Sequence, residues 1–131
     1  VIERIHRKFE TARTVVPKPI IETVDGAKIG IIAFGSTDPA VVEARDALVK
    51  EGVPTDYLRL RAVPFTDEVK EFIKNHEHVY VVEMNHEGQM HQLLTIEYPE
   101  SSLHLRKLCH LDGLPLSAQW IKTGLIAQEN K

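Results

Sequence analysis

At 131 residues the chain has the length of a single domain with room for a sizeable core. It is 43% hydrophobic and 27% charged, and 16 basic against 19 acidic residues give a net charge of -3, which excludes a strongly basic nucleic-acid footprint. No apolar run approaches the ~18 residues of a membrane span, and the one cysteine, Cys109, excludes an internal disulfide or a multi-cysteine zinc or iron–sulfur site. A reducing, cytoplasmic setting is expected. The start at Val1 and the lack of a signal-peptide pattern predict a fragment or a processed product.

In chain order, residues 1–14 are charged and helix-compatible. Ile2, Ile5 and Phe9 form a thin apolar stripe, predicting a helix that docks on a body or leads in from a preceding domain. Pro17 and Pro19 then force extended backbone, so 1–19 is expected to be a lead-in and linker, and 20–131 the domain. Residues 20–24 are a short strand candidate, followed by a turn at Asp25-Gly26. The run from Ala27 to Phe34 is nearly continuous in apolar residues, as in a strand buried on both faces. Ser36, Thr37 or Asp38 is expected to cap a helix reaching about Lys50, with Val41, Ala44 and Leu48 inward and Gly52 as its stop.

The same unit recurs. Residues 57–60 predict a strand, and Pro64-Phe65-Thr66 opens a helix with Val69, Phe72 and Ile73 inward. His78 to Glu83 is a second apolar strand, and the helix from Gln89 to about Glu97 is expected to bury Met90, Leu93 and Leu94. Leu103 to Leu108 alternates like an edge strand, and Pro115-Leu116-Ser117 opens a final helix to about Gln128. Strands alternating with helices predict an α/β layered, mostly parallel sheet of about five strands.

Two loops carry the chemistry-bearing residues. Gly35, Ser36 and Thr37 follow one buried strand; the simpler reading is a tight turn and cap, the alternative a cradle for a small anion. The segment Glu83-Met84-Asn85-His86-Glu87-Gly88-Gln89 follows the other. There Glu83, Asn85, Gly88 and Gln89 either build a helix-entry loop or line a ligand or docking surface. Both loops are expected at the same edge of the sheet. No phosphate-binding glycine motif is present, and the seven histidines show no metal-ligand spacing, so surface positions are expected for them. Cys109 is expected to be a buried, inert thiol, and Trp120 a core or interface residue. No catalytic residue and no metal ligand is expected.

The ordered string Gly35-Ser36-Thr37, Glu43-Ala44, Pro64-Phe65, Val82-Glu83-Met84-Asn85 and Gly88-Gln89 resembles the C-terminal domain of the alpha subunit of 2-oxoacid:ferredoxin (acceptor) oxidoreductases. The lead-in from Arg7 to Ala12 and the stretch Leu111-Asp112-Gly113-Leu114-Pro115 are similar to that family as well. The resemblance implies a transketolase C-terminal-like fold, a three-layer α/β/α sandwich whose five-stranded, mostly parallel sheet has one antiparallel edge strand. It implies a full enzyme that decarboxylates a 2-oxoacid, such as pyruvate or 2-oxoglutarate, on thiamine diphosphate with Mg2+. Electrons then pass through an iron–sulfur cluster to ferredoxin, and the acyl group passes to coenzyme A.

On that resemblance this chain is a structural and assembly domain, inactive alone and without a cofactor of its own. It would pack against the preceding thiamine-enzyme domain and the beta subunit, with no nucleic-acid or membrane partner. Glu83→Ala is then expected to weaken association more than it changes the isolated fold. The alternative, from the polar loops, is a stand-alone regulatory module binding a small anion or nucleotide.

Overall fold

The computed structural model describes residues 1–131. Its elements are α1 (Ile2–Val15), β1 (Ile20–Glu22), β2 (Ile29–Phe34), α2 (Asp38–Lys50), β3 (Thr55–Leu60), α3 (Asp67–Lys74), β4 (His78–Glu83), α4 (Gln89–Glu97), β5 (Leu105–Cys109) and α5 (Ala118–Glu129). The two most apolar runs, β2 and β4, lie side by side in the middle of the sheet, parallel, with Ile31 opposite Tyr80. Strands that bury both faces tolerate no polar alternation, which is why these two read as unbroken apolar stretches.

β3 runs parallel on the other side of β2, and β5 parallel beyond β4. β1 closes the opposite edge antiparallel to β3, with Ile21 opposite Leu58. The order is β1-β3-β2-β4-β5, the mixed five-stranded sheet the resemblance implies.

Helices cover both faces. Ile31, Ala33, Tyr57, Tyr80 and Val82 meet α2 and α5 through Val41, Ala44, Leu48, Ile121 and Leu125. Ile32, Leu58, Val79 and Val81 meet α3 and α4 through Val69, Phe72, Ile73 and Leu94. Ser117 caps α5, its Oγ accepting from the Trp120 amide at 3.1 Å. The inward faces expected for α2 and α3 are the ones observed.

Three expectations are corrected. β1 ends at Glu22, because the Val24 amide turns away to donate to Asp56 Oδ1 at 2.8 Å. β5 begins at Leu105, since Pro99 to His104 coils into 3-10 turns and leaves Leu103 86% exposed. α4 buries Leu94 fully, while Met90 is half-buried and Leu93 is exposed; Tyr98, four residues after Leu94, supplies the missing contact. α1 forms over the expected span, yet none of its residues is buried and Ile2, Ile5 and Phe9 all face solvent.

Candidate functional site

β2 and β4 are neighbours and parallel, so the loops that follow them emerge at the same edge of the sheet. This brings Gly35, Ser36 and Thr37 to the side on which Glu83, Asn85, Gly88 and Gln89 stand. Glu83 is fully buried at the end of β4. Its Oε1 accepts from the Met90 amide at 2.6 Å and from Asn85 Nδ2 at 3.0 Å, and its Oε2 accepts from the His91 amide at 3.0 Å. Asn85 Oδ1 in turn accepts from the amides of Gly88, at 2.7 Å, and Gln89, at 3.3 Å.

The first turn of α4 thus finds its acceptors in one side chain at the end of β4 and one in the loop that follows. The position where a bound anion would meet these N–H groups is occupied by the chain's own carboxylate, whose charge also suits the helix dipole. Glu83 and Asn85 tie down a loop, and Gln89 is exposed at its end. Gly88 carries φ +70°, and a Cβ there would run into the Lys107 side chain, so glycine serves both the left-handed backbone and the close passage of that lysine.

The loop after β2 is a 3-10 turn over Gly35–Thr37 with Thr37 buried and Ser36 exposed. The expected cap does not form. Thr37 makes no side-chain bond to the α2 terminus, and Asp38 Oδ1 instead accepts from the Tyr57 hydroxyl at 2.8 Å. Burial and this carboxylate push the Tyr57 phenol well above its ordinary value. Asp38 thus places a carboxylate in the first turn of α2 that is engaged with β3 rather than with the helix amides.

Cys109 is partly exposed rather than buried, with its Sγ 3.4 Å from the His86 carbonyl. Desolvation raises its thiol pKa, and the nearby Lys107 only partly offsets this. We expect iodoacetamide to alkylate Cys109 more slowly than a free cysteine peptide at pH 8. The rate should reach its plateau at a higher pH than the peptide's. A plateau at lower pH would mark an activated thiol and contradict this geometry.

His110 stacks on Trp120 with ring centroids 5.3 Å apart and meets Asp112 Oδ2 at 3.2 Å, so it does not pair with Cys109. His91 is half-buried, and desolvation lowers its pKa against the pull of Glu83.

The surface expectation fails for His76. This ring is buried, with Nδ1 2.6 Å from the Phe72 carbonyl and Nε2 2.7 Å from Asp56 Oδ2. It joins the end of α3 to β3. His78 Nδ1 lies 2.7 Å from Glu129 Oε2, which also accepts from the Tyr80 hydroxyl, fastening the end of α5 to β4. Neither pairing has a local signal, because the partners stand 20 and 51 residues apart. No group of three histidine, cysteine, aspartate or glutamate side chains converges as a metal site. No helix is long and apolar enough to cross a membrane.

No protein-family model matches the chain. It is 32% identical over 118 residues to the alpha subunit of 2-oxoacid:ferredoxin oxidoreductase 2 of Aeropyrum pernix, a match taking in 84% of this chain and 18% of that protein. The chain thus spans under a fifth of that relative's length. Among solved structures, it is similar to the 2-oxoglutarate:ferredoxin oxidoreductase of Magnetococcus marinus, solved with 2-oxoglutarate, coenzyme A and succinyl-CoA. That superposition has a TM-score of 0.77 at 25% identity and covers 96% of this chain and 23% of the other.

A split-gene transketolase, described as an inactive beta4 tetramer, shares the fold at a TM-score of 0.66 and 17% identity, over 82% of this chain and 40% of the other. The alpha chain of a probable 2-oxoacid ferredoxin oxidoreductase from Thermoplasma acidophilum shares it at 0.58 and 23%, over 87% and 98%. The fold is transketolase-like, as the resemblance implies.

Proposed function

Because this chain is a relative, in sequence and in fold, of part of a 2-oxoacid:ferredoxin oxidoreductase alpha subunit, we propose that it is the C-terminal assembly domain of such a subunit. Residues 1–19 would be its lead-in and 20–131 its body. The full enzyme, on this reading, oxidatively decarboxylates a 2-oxoacid with thiamine diphosphate, Mg2+ and an iron–sulfur cluster, delivering the acyl group to coenzyme A and electrons to ferredoxin. On this reading those steps fall to other parts of the enzyme. A diphosphate-bound cation needs converging oxygen ligands, and no such set is formed. A cysteine-ligated cluster needs about four thiolates, and the chain has Cys109 alone.

What the chain contributes is surface, and α1 is the observation that carries the reading. The helix is held at its C-terminal end, where Arg13 Nη1 donates to the Phe65 carbonyl at 3.0 Å and Nη2 pairs with Glu97. Its Ile2, Ile5 and Phe9 remain 83%, 49% and 56% exposed, and a stripe of that kind makes sense when another body covers it. The preceding domain of the same subunit and the beta subunit are the bodies proposed.

The test is a co-purification of the full alpha subunit with its beta subunit. Ile5→Asp with Phe9→Asp should abolish the complex while leaving the Tm of the 131-residue chain within about 2 °C, since exposed substitutions change stability little. Unaltered assembly of the double variant would refute the proposal.

A further inference from the structure

The parallel strands pass the chain to alternate faces of the sheet. β2 continues into α2 on one face, while its neighbours β3 and β4 continue into α3 and α4 on the other. The carboxyl ends of β2 and β3 therefore diverge, and open α/β sheets hold ligands in such crevices. Here a cavity of about 250 Å3 opens, walled by Phe34 and Gly35 at the end of β2, Leu60 to Val63 at the end of β3 and just past it, and Met90 of α4. The Met90 wall is fixed from behind, because its amide is one of those held by the buried Glu83.

The lining decides the ligand's chemistry. Five of the seven residues are hydrophobic and Arg61 is the one charge, so the body of the ligand is apolar and its head anionic. Arg61 Nε donates to the Lys18 carbonyl at 2.7 Å, which orients the guanidinium and leaves its terminal nitrogens without a protein acceptor. A planar pair of N–H donors of that kind suits a carboxylate in two-point contact. At the roughly 30 Å3 that each water occupies in the liquid, the cavity holds the volume of about eight waters, which suits the body of a small ligand.

We propose that this crevice binds a short aliphatic monocarboxylate, with its carboxylate on Arg61 and its hydrocarbon tail against Phe34, Leu60 and Met90. The site is independent of the assembly role, since it needs neither α1 nor a second subunit.

Titration of the full chain with 4-methylpentanoate, followed by amide NMR, tests it. Saturable shifts are expected at Gly35 and residues 60–63. Binding should weaken by about tenfold or more with the neutral 4-methylpentanamide, and equally in Arg61→Gln, an exposed position whose change leaves the fold intact. Ala62→Phe, which fills the cavity and keeps the arginine, should abolish the shifts. The proposal is overturned if shifts do not saturate by about 20 mM ligand, a bound for weak small-molecule affinity. It is equally overturned if Arg61→Gln binds like the parent chain, or if acid and amide bind alike.

Discussion

Glu83→Ala is expected to destabilise the chain by about 2–4 kcal/mol, from buried donors left without an acceptor and from lost charge at a helix start. Three donors lose their partner at once: the Met90 and His91 amides and the Asn85 side chain. Glu83 is wholly inside, so water reaches the vacated space poorly and the first turn of α4 frays. Glu83→Gln keeps the shape and one oxygen but turns an NH2 group toward an N–H donor, so its loss should fall between parent and alanine. Urea denaturation midpoints rank the three. A cost below about 0.5 kcal/mol for alanine, the range of surface changes, would contradict the clamp. Because the carboxylate has no exposed surface, it cannot touch a partner directly. The expectation that Glu83→Ala acts mainly on association is therefore replaced by an effect on the fold itself.

Ile31→Ala should cost about 2–5 kcal/mol, the range for truncating a buried isoleucine. Ile31 has no exposed surface, pairs with strands on both sides, and stands under α2 and α5. With helices on one face and strands at each flank, the neighbours have little freedom to close the void, which favours the upper half of the range. Ile96→Ala removes the same side chain from a position 76% exposed and should change stability by less than about 0.5 kcal/mol. Equal effects of the two would mean that the central strand is misplaced.

Much of this arrangement is legible in the residues because local pattern and tertiary burial agree. β2 and β4 read as doubly buried strands because helices on both faces of the sheet do bury them, and Val69, Phe72 and Ile73 read as a helix face because α3 packs through them. Position along the chain also places both polar loops at one sheet edge, which requires only that their strands be parallel neighbours.

What escapes the pattern is whatever depends on distant partners. His76 looks like any surface histidine until Asp56, on another strand, comes within 2.7 Å. Gly30 reads as a small residue in a strand, yet a Cβ there would lie 2.6 Å from the Phe72 ring, so it is the glycine over which α3 closes. Arg61 carries no motif; its place at a crevice follows from the chain leaving β2 and β3 toward opposite faces. The Met90 and Leu93 expectation fails for a related reason, since periodicity marks a face but not its width, and Tyr98 takes part of the room.

The strand order has a consequence for solubility. An open sheet ends in two rows of unpaired backbone groups, and such rows template polymerisation when they are long, flat and apolar. Here neither edge qualifies. β1 is three residues long and follows Pro17 and Pro19, which have no N–H to offer an incoming strand. β5 carries Arg106 and Lys107 in adjacent positions. Arg106 Nη1 donates to the Leu103 and Leu105 carbonyls, and Gln128 reaches from α5 to donate to the Lys107 carbonyl at 2.9 Å. Acceptors that another chain would need are already engaged, so a sheet with two strongly apolar central strands ends at each side in a margin that resists extension.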